Sequence, residues 1–125
     1  MTFEELYDIA KSILNTRELS KNTIVGQVGC ALETIDGHIF TGVNIDTACS
    51  MGFCAEANAI GSMITAGETR IVRLVAVSEK HDIVPPCGRC REFMVQIDHD
   101  NINALIKLSD RVYTLDELLP HRWGE

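Results

Sequence analysis

The pattern of apolar and polar positions along the chain predicts a mixed α/β domain. Apolar residues recur at helical spacing over residues 3–15, and Thr2 followed by Glu5 fits a capping box at the start of that helix. The segment IVGQVGCALET (24–34) predicts a strand, and HIFTGVNI (38–45) predicts a second one. Because the Asp-Gly pair between them is a strong hairpin signal, these two strands are expected to be antiparallel.

Helices and strands alternate in the remainder of the chain. The small residues of AEANAIGSMITAG (55–67) predict a closely packed helix ending at Gly67, and GRCREFMVQI (88–97) predicts a helix beginning near Cys87. Further strands are predicted over 70–78, 103–108 and 111–115, before a last helical turn at 115–120. Helical segments between these strands favour parallel pairing among them. The order α-β-β-α-β-α-β-β implies one mixed sheet with helices on its faces.

Composition and charge limit the possible functions. The chain has 125 residues, the size of one domain (1–125), and 46% of them are apolar. Its formal charge of −7, from 18 acidic and 11 basic side chains, argues against a nucleic-acid polymer as ligand. No apolar run reaches the roughly 18 residues of a membrane helix, and the acidic start MTFEELYDIAK does not resemble a signal peptide. We therefore expect a cytoplasmic protein without a membrane partner.

Five cysteines in such a protein favour metal binding, catalysis or burial over a disulfide framework. Cys87 and Cys90 form a C-x-x-C pair at a predicted helix start, so both sulfurs lie on one face. Pro85 and Pro86 precede the pair and deliver it on a stiff, extended segment.

A third sulfur and a carboxylate stand at the start of the other predicted helix. Cys54 and Glu56 lie two residues apart there, so two helix N-termini could together present three thiolates and one acid. Three protein ligands leave one tetrahedral position of Zn²⁺ open, which is typical of catalytic zinc sites. A carboxylate beside that position can act as a general base.

Two other interpretations of the cysteines are open. Cys49 could complete a closed four-cysteine zinc site, in which case the protein would be an interaction module rather than an enzyme. Alternatively, Cys87 and Cys90 could be a redox dithiol, which would leave Cys54 and Glu56 without a role. Outside these alternatives, Cys30 and Cys49 are predicted to be ordinary buried or loop thiols.

The segments CAE (54–56) and PCGRCREF (86–93) together fit the zinc deaminase signature in its three-cysteine form. From about residue 28 to residue 123 the chain resembles the cytidine deaminase family, including its blasticidin S deaminase branch. The resemblance implies a three-layer α/β/α sandwich with a five-stranded mixed sheet. It also implies Zn²⁺ on Cys54, Cys87 and Cys90, with Glu56 as the catalytic proton carrier. The expected reaction is hydrolytic deamination of a free cytosine nucleoside, a step of pyrimidine salvage, by a homotetramer.

Resemblance also assigns substrate contacts. Asn44 and Asp46 occupy the positions of the family's Asn-x-Glu strand end, which binds the sugar 3′-hydroxyl. The segment ELLPHRWGE resembles the family's C-terminal motif, whose aromatic reaches towards the base in a tetramer, and Trp123 would be that aromatic.

Four departures from the cytidine deaminase pattern bear on charge and substrate. Ala57 replaces the usual arginine after the catalytic acid, so Arg89, between the two paired cysteines, is the candidate for charge compensation. The segment VGQVGCAL (25–32) has no aromatic residue where cytidine deaminases carry a phenylalanine shortly before this strand. Asp46 is shorter than the usual glutamate, and the loop from Asn44 to Cys54 is one residue shorter than in typical cytidine deaminases. These departures leave the choice open between cytidine, deoxycytidine and a modified nucleoside such as blasticidin S.

Overall fold

The computed structural model describes residues 1–124, so the last residue of the predicted 1–125 domain and of its C-terminal motif lies outside the described residues. The helices are α1 (Phe3–Ser12), α2 (Ala55–Thr65), α3 (Gly88–Ile97) and α4 (Leu115–Leu118), with 3-10 turns at Ala48–Ser50 and His99–Asn103. The strands are β1 (Arg17–Ser20), β2 (Thr23–Thr34), β3 (Ile39–Thr47), β4 (Ile71–Ser78), β5 (Asp82–Val84), β6 (Leu105–Lys107) and β7 (Val112–Thr114). The described part of the chain contains no helix long and apolar enough to cross a membrane.

All strands belong to one mixed sheet. The five predicted strands are present and pair in the order β3-β2-β4-β6-β7. Two short strands were not predicted: β1 pairs with the beginning of β2, and β5 pairs with the end of β4. Within residues 1–124 the sheet therefore has seven strands rather than five.

Parallel pairing was predicted among the last three of the five strands and is found once. Strands β4 and β6 are parallel, as expected for strands joined through α3. Strands β6 and β7 are antiparallel, so the prediction was wrong for this pair. The connection between them is a tight turn closed by the Leu108 N–H on the Arg111 carbonyl at 3.0 Å, which leaves no room for a crossover helix.

Helices cover both faces of the sheet, which confirms the three-layer α/β/α sandwich. On one face, α1 packs Leu6 and Ala10 against Ala31, Val75 and Val77 of the central strands. The opposite face packs against α2 and α3, and its buried residues include Cys30, Leu32, Ile60, Leu74, Met94 and Ile106. Side chains of β2 and β4 alternate between the two cores, as the period of a strand requires.

Two predicted local signals are confirmed: the capping box at the start of α1 and the turn between β2 and β3. Thr2 and Glu5 form the capping box of α1, with the Glu5 N–H donating to Thr2 Oγ1 at 3.1 Å and the Thr2 N–H donating to Glu5 Oε1 at 3.1 Å. Gly37 has a φ of +83° in the turn between β2 and β3, which are antiparallel.

Candidate active site

Two helix N-termini meet at a cluster of three cysteine sulfurs. Cys54 is the N-cap residue of α2, Cys87 is the N-cap residue of α3, and Cys90 lies in the first turn of α3. Their Sγ atoms all lie within 4.8 Å of one another, and those of Cys54 and Cys87 are 3.5 Å apart. Cys90 is buried while Cys87 is exposed, so the cluster opens towards the surface on one side.

The loop after β3 places Cys54. Phe53 returns to the end of β3 and exchanges both backbone hydrogen bonds with Ile45, each at 3.0 Å. Gly52 is needed for this return, because a Cβ there would lie 1.8 Å from the Ile45 carbonyl oxygen. The loop therefore delivers Cys54 to the sheet edge that carries Asn44.

Helix α2 lies unusually close to β3. A Cβ at Gly42 of β3 would meet the Ala59 nitrogen at 2.5 Å and the Ala55 carbonyl oxygen at 2.8 Å. The small residues of α2 predicted this close packing, and Ala55 and Ala59 are fully buried against the sheet. The contact fixes the helix N-terminus, and with it the positions of Cys54 and Glu56.

The Glu56 side chain is buried beside the sulfurs. Its exposed fraction is 4%, yet it lines the cavity that opens over the cluster. Burial raises the pKa of the Glu56 carboxyl above its ordinary value, against the opposing effect of its own backbone N–H. Its negative charge disfavours ionisation of the Cys54, Cys87 and Cys90 thiols, which is consistent with a carboxylate close to all three sulfurs.

The donor set fits zinc. Tetrahedral Zn–S bonds of about 2.3 Å put sulfur atoms about 3.8 Å apart, close to the separation of Cys54 and Cys87. Burial raises the pKa of the Cys54 and Cys90 thiols. At Cys87, burial is outweighed by hydrogen bonds from the Cys90 backbone and the neighbouring sulfurs, which lower the pKa of that thiol. A divalent cation is what allows all three to ionise together.

A cavity of about 570 Å³ opens over the cluster. This volume suits a small organic ligand. Its walls come from the end of β3, the loop before α2, the first turns of α2 and α3, and the segment after β5. The lining residues include Val28, Asn44, Asp46, Thr47, Phe53, Cys54, Glu56, Pro85, Cys87 and Arg89.

Asn44 and Asp46 line this cavity together, so the structure brings both predicted substrate residues to the cluster. They lie two residues apart on β3 and therefore project to the same side of the sheet. Asn44 is buried, with 8% of its surface exposed, whereas Asp46 is exposed.

Arg89 also reaches the cavity. It lines the cavity beside Cys87 and is exposed. Within residues 1–124 its guanidinium has no carboxylate partner at ion-pair distance. The side chain therefore offers a positive charge next to the sulfurs.

Trp123 is not brought to this cavity by its own chain. It is 79% exposed and lies beside Val95 and Ile102, among residues that line a separate surface depression. The Trp123 indole could therefore contact only a ligand bound in the cavity of a neighbouring copy of the chain.

The remaining cysteines do not join the cluster. Cys49 is exposed in the 3-10 turn and is not part of the metal-competent group formed within the described residues. The four-cysteine site is therefore not formed there. Cys30 is buried in the core, as predicted. All five cysteines are free, so Cys87 and Cys90 do not form a disulfide.

Two residues that shape the site were not predicted. Phe53 lines the cavity, and its position directly before Cys54 was the available sequence signal. Arg91 donates from Nε to the Pro86 carbonyl at 2.8 Å and from its guanidinium to the Leu118 carbonyl at 2.9 Å. It thereby joins the segment before Cys87 to α4, a long-range contact without a local signal.

Comparison with known proteins identifies the family. Residues 3–106 match the family model described as the cytidine and deoxycytidylate deaminase zinc-binding region. The chain is 32% identical over 98 residues to a cytidine deaminase of Mycobacterium tuberculosis, covering 78% of this chain and 72% of that protein. It is also 32% identical over 107 residues to a blasticidin-S deaminase of Bacillus cereus, covering 77% of this chain and 76% of that protein.

The fold agrees with the family. The crystal structure of cytidine deaminase from Mycobacterium leprae superposes with a TM-score of 0.82 at 28% identity, covering 97% of this chain and 99% of that one. The family match includes both the Cys54–Glu56 segment and the C-x-x-C pair, whose sulfurs form the observed cluster. The chain therefore belongs to the cytidine and deoxycytidylate deaminase family and is a zinc-dependent deaminase.

Proposed function

We propose that this protein hydrolytically deaminates a free cytosine nucleoside, converting cytidine or deoxycytidine to uridine or deoxyuridine and ammonia. One observation carries the proposal. A cluster of three sulfurs lies beneath a cavity, and the buried Glu56 carboxylate lines that cavity together with Cys54 and Cys87. Cys54, Cys87 and Cys90 are the proposed zinc ligands. Three ligands from the protein would leave a fourth zinc position for water or substrate.

Glu56 is the proposed proton carrier. When bound, zinc supplies the Lewis acidity that makes water a nucleophile at neutral pH. In the proposed reaction the carboxylate takes a proton from the attacking water, whose oxygen bonds to C4, and passes that proton to N3 of the cytosine ring. It then moves the second proton, from the new hydroxyl group on C4, to the amino group, so that the C4–N bond breaks, ammonia leaves and a C4 carbonyl forms. The burial of Glu56 keeps bulk solvent away from these transfers.

Charge at the site needs compensation, because three thiolates exceed the charge of one Zn²⁺ by one unit. The N-termini of α2 and α3 both point at the cluster and supply partial positive charge. Arg89 is the proposed full positive charge, since it lines the cavity beside Cys87 and has no carboxylate partner within residues 1–124. It would take the place of the arginine that Ala57 replaces.

Asn44 and Asp46 are the proposed contacts to the sugar. Both line the cavity and present polar groups from the same side of β3. Trp123 is proposed to reach the base from a neighbouring subunit of a homotetramer, which its exposure on the isolated chain allows. We further place the enzyme in the cytoplasm, in pyrimidine salvage.

A modified cytosine nucleoside is the second candidate substrate. The chain resembles a blasticidin-S deaminase over 107 residues as closely in identity as it resembles a cytidine deaminase. Asp46 and Thr47 also line a second cavity of about 330 Å³, together with Glu18 and Lys21. A substituent on the sugar would extend from the first cavity into this one.

The proposed function is tested with Glu56→Gln, which keeps the shape of the side chain. We expect zinc content per chain to equal that of the wild type and ammonia release from cytidine to fall by roughly 10²–10⁴-fold. Glu4→Gln, at an exposed position of α1, is the matched control and should change neither. Wild-type activity in Glu56→Gln would contradict the proposal. Assaying cytidine, deoxycytidine and blasticidin S in parallel separates the two substrate candidates.

A further inference from the structure

Strand β2 bulges opposite Asn44. Val25 pairs with Ile45 and Gly29 pairs with Val43, so three residues of β2, 26–28, face one residue of β3. Gly26 has a φ of +83°, which lets the backbone make this detour. Bulges of this kind interrupt the hydrogen-bond ladder and redirect side chains, often next to active sites.

The Asn44 side chain fills the gap in the ladder. Its Oδ1 accepts from the Val28 N–H at 2.9 Å, and its Nδ2 donates to Gln27 Oε1 at 2.6 Å. The Val28 amide can only donate, so it fixes which end of the Asn44 amide carries oxygen. The Nδ2 end must then face Gln27, which has to present its own oxygen.

This arrangement leaves Asn44 with one N–H of its amide group uncommitted. Asn44 is buried and lines the proposed nucleoside cavity, whereas Gln27 is not among the residues lining it. The backbone of Gln27 is itself held, because its carbonyl accepts from the Glu79 N–H at 3.0 Å. Gln27 thus has an anchored backbone, and its side-chain acceptor lies behind a cavity residue.

We propose that Gln27 is a positioning residue for the sugar contact of Asn44. Two hydrogen bonds, one at each end of the amide, define its plane and direct the remaining N–H into the cavity as a donor to the sugar 3′-hydroxyl oxygen. This inference rests on the proposed function, in which Asn44 binds the sugar. It adds a residue that acts on the substrate through Asn44.

Gln27→Met and Gln27→Glu distinguish the effect of the hydrogen-bond acceptor at residue 27 from the effect of side-chain size. Methionine has similar length but cannot accept well, whereas glutamate keeps an oxygen at the same place. For Gln27→Met we expect KM for cytidine to rise about 3–10-fold, the effect of one lost hydrogen bond, with kcat changed less than about twofold. Gln27→Glu should restore KM to near the wild-type value.

The substrate provides the second comparison. With 3′-deoxycytidine, which lacks the hydroxyl, Gln27→Met and wild type should have the same KM, because the positioned donor has no acceptor there. An equal rise in KM for both nucleosides would mean that Gln27 only supports the bulge, and would overturn the inference. If methionine disrupts folding, Gln27→Ser, which is too short to reach Asn44, replaces it in the same comparison.

Asn44→Asp distinguishes failure of this inference from failure of the proposed function. Aspartate can still accept from Val28 but offers no N–H donor to the hydroxyl oxygen, so it should reduce the preference for cytidine over 3′-deoxycytidine. If Asn44→Asp reduces that preference while Gln27→Met keeps the wild-type KM, the role of Gln27 is wrong and the sugar contact stands. If wild type itself does not distinguish the two nucleosides, the sugar contact fails and the inference with it.

Discussion

The Nε atom of Arg91 donates to the carbonyl oxygen of Pro86 over 2.8 Å, one residue before the proposed zinc ligand Cys87. A second bond, to the Leu118 carbonyl at 2.9 Å, ties the same guanidinium to α4. Arg91 therefore links the conformation of the ligand segment to the packing of the C-terminal helix.

Replacing Arg91 by methionine should loosen that link. We expect Arg91→Met to lower the free energy of unfolding by about 1–3 kcal/mol, because two backbone carbonyls lose a charged donor. The variant should also release zinc faster to a chelator. Arg91→Lys should rescue only part of the loss, since an ammonium cannot direct two donors as a planar guanidinium does.

Urea unfolding and chelator kinetics measure both effects. Arg17→Met is the matched control, because Arg17 is exposed on β1 and donates to the Asn15 carbonyl rather than to the segment before Cys87. We expect its stability to change by less than about 0.5 kcal/mol. Wild-type stability and zinc release in Arg91→Met would show that Pro86 is held by other contacts.

The approach of α2 to β3 gives a second prediction. Gly42→Ala should destabilise the protein by about 1–3 kcal/mol and weaken zinc binding, because the new methyl group meets helix backbone rather than a movable side chain. Gly61 lies on α2 itself, and a Cβ added there in Gly61→Ala has nothing within 4 Å. It should stabilise the chain by up to about 1 kcal/mol through helix propensity.

Denaturant unfolding of the two glycine variants, combined with zinc titration, checks the contrast. The pair controls for the general effect of a glycine-to-alanine change, since the two positions differ in what surrounds them. Equal stability of both variants would mean that α2 can move away from β3 without cost.

Much of the site was visible in the sequence because its signals are local. Cys54 and Glu56 lie at one helix start, and Cys87 and Cys90 lie at another, so ligand type and spacing could be read directly. Two contacts bring these helix starts together: the return of the loop at Phe53 to β3, and the close approach of α2 to Gly42 of β3. Both depend on the assembled sheet and have no local sequence pattern.

The secondary structure that was not predicted has two physical causes. Strand β1 is exposed at all four positions and β5 has three residues, so neither shows the alternation that marks a half-buried strand. Helix α1 was predicted to residue 15 because its apolar spacing continues through Leu14. It ends at Ser12, and the Asn15 N–H instead donates to the Gly26 carbonyl at 3.1 Å in the bulge of β2.

The cysteine assignments give a third prediction. Cys87→Ser should lose zinc, because two remaining sulfurs do not hold the ion, and its melting temperature should fall to that of the metal-depleted wild type. Cys49→Ser should keep zinc, stability and activity. Elemental analysis and thermal unfolding measure these outcomes. Loss of zinc in Cys49→Ser would instead support the closed four-cysteine site.

Asp46 gives the last prediction, which concerns binding rather than chemistry. Asp46→Ala should raise KM for the nucleoside more than it lowers kcat, because a sugar contact made equally in the ground state and the transition state changes binding alone. We expect a rise of about 10–150-fold, the range of a hydrogen bond to a charged group. Asp8→Ala, exposed on α1 across the sheet, is the control. Steady-state kinetics on cytidine decide the matter: a large fall in kcat at unchanged KM would place Asp46 in the chemical step.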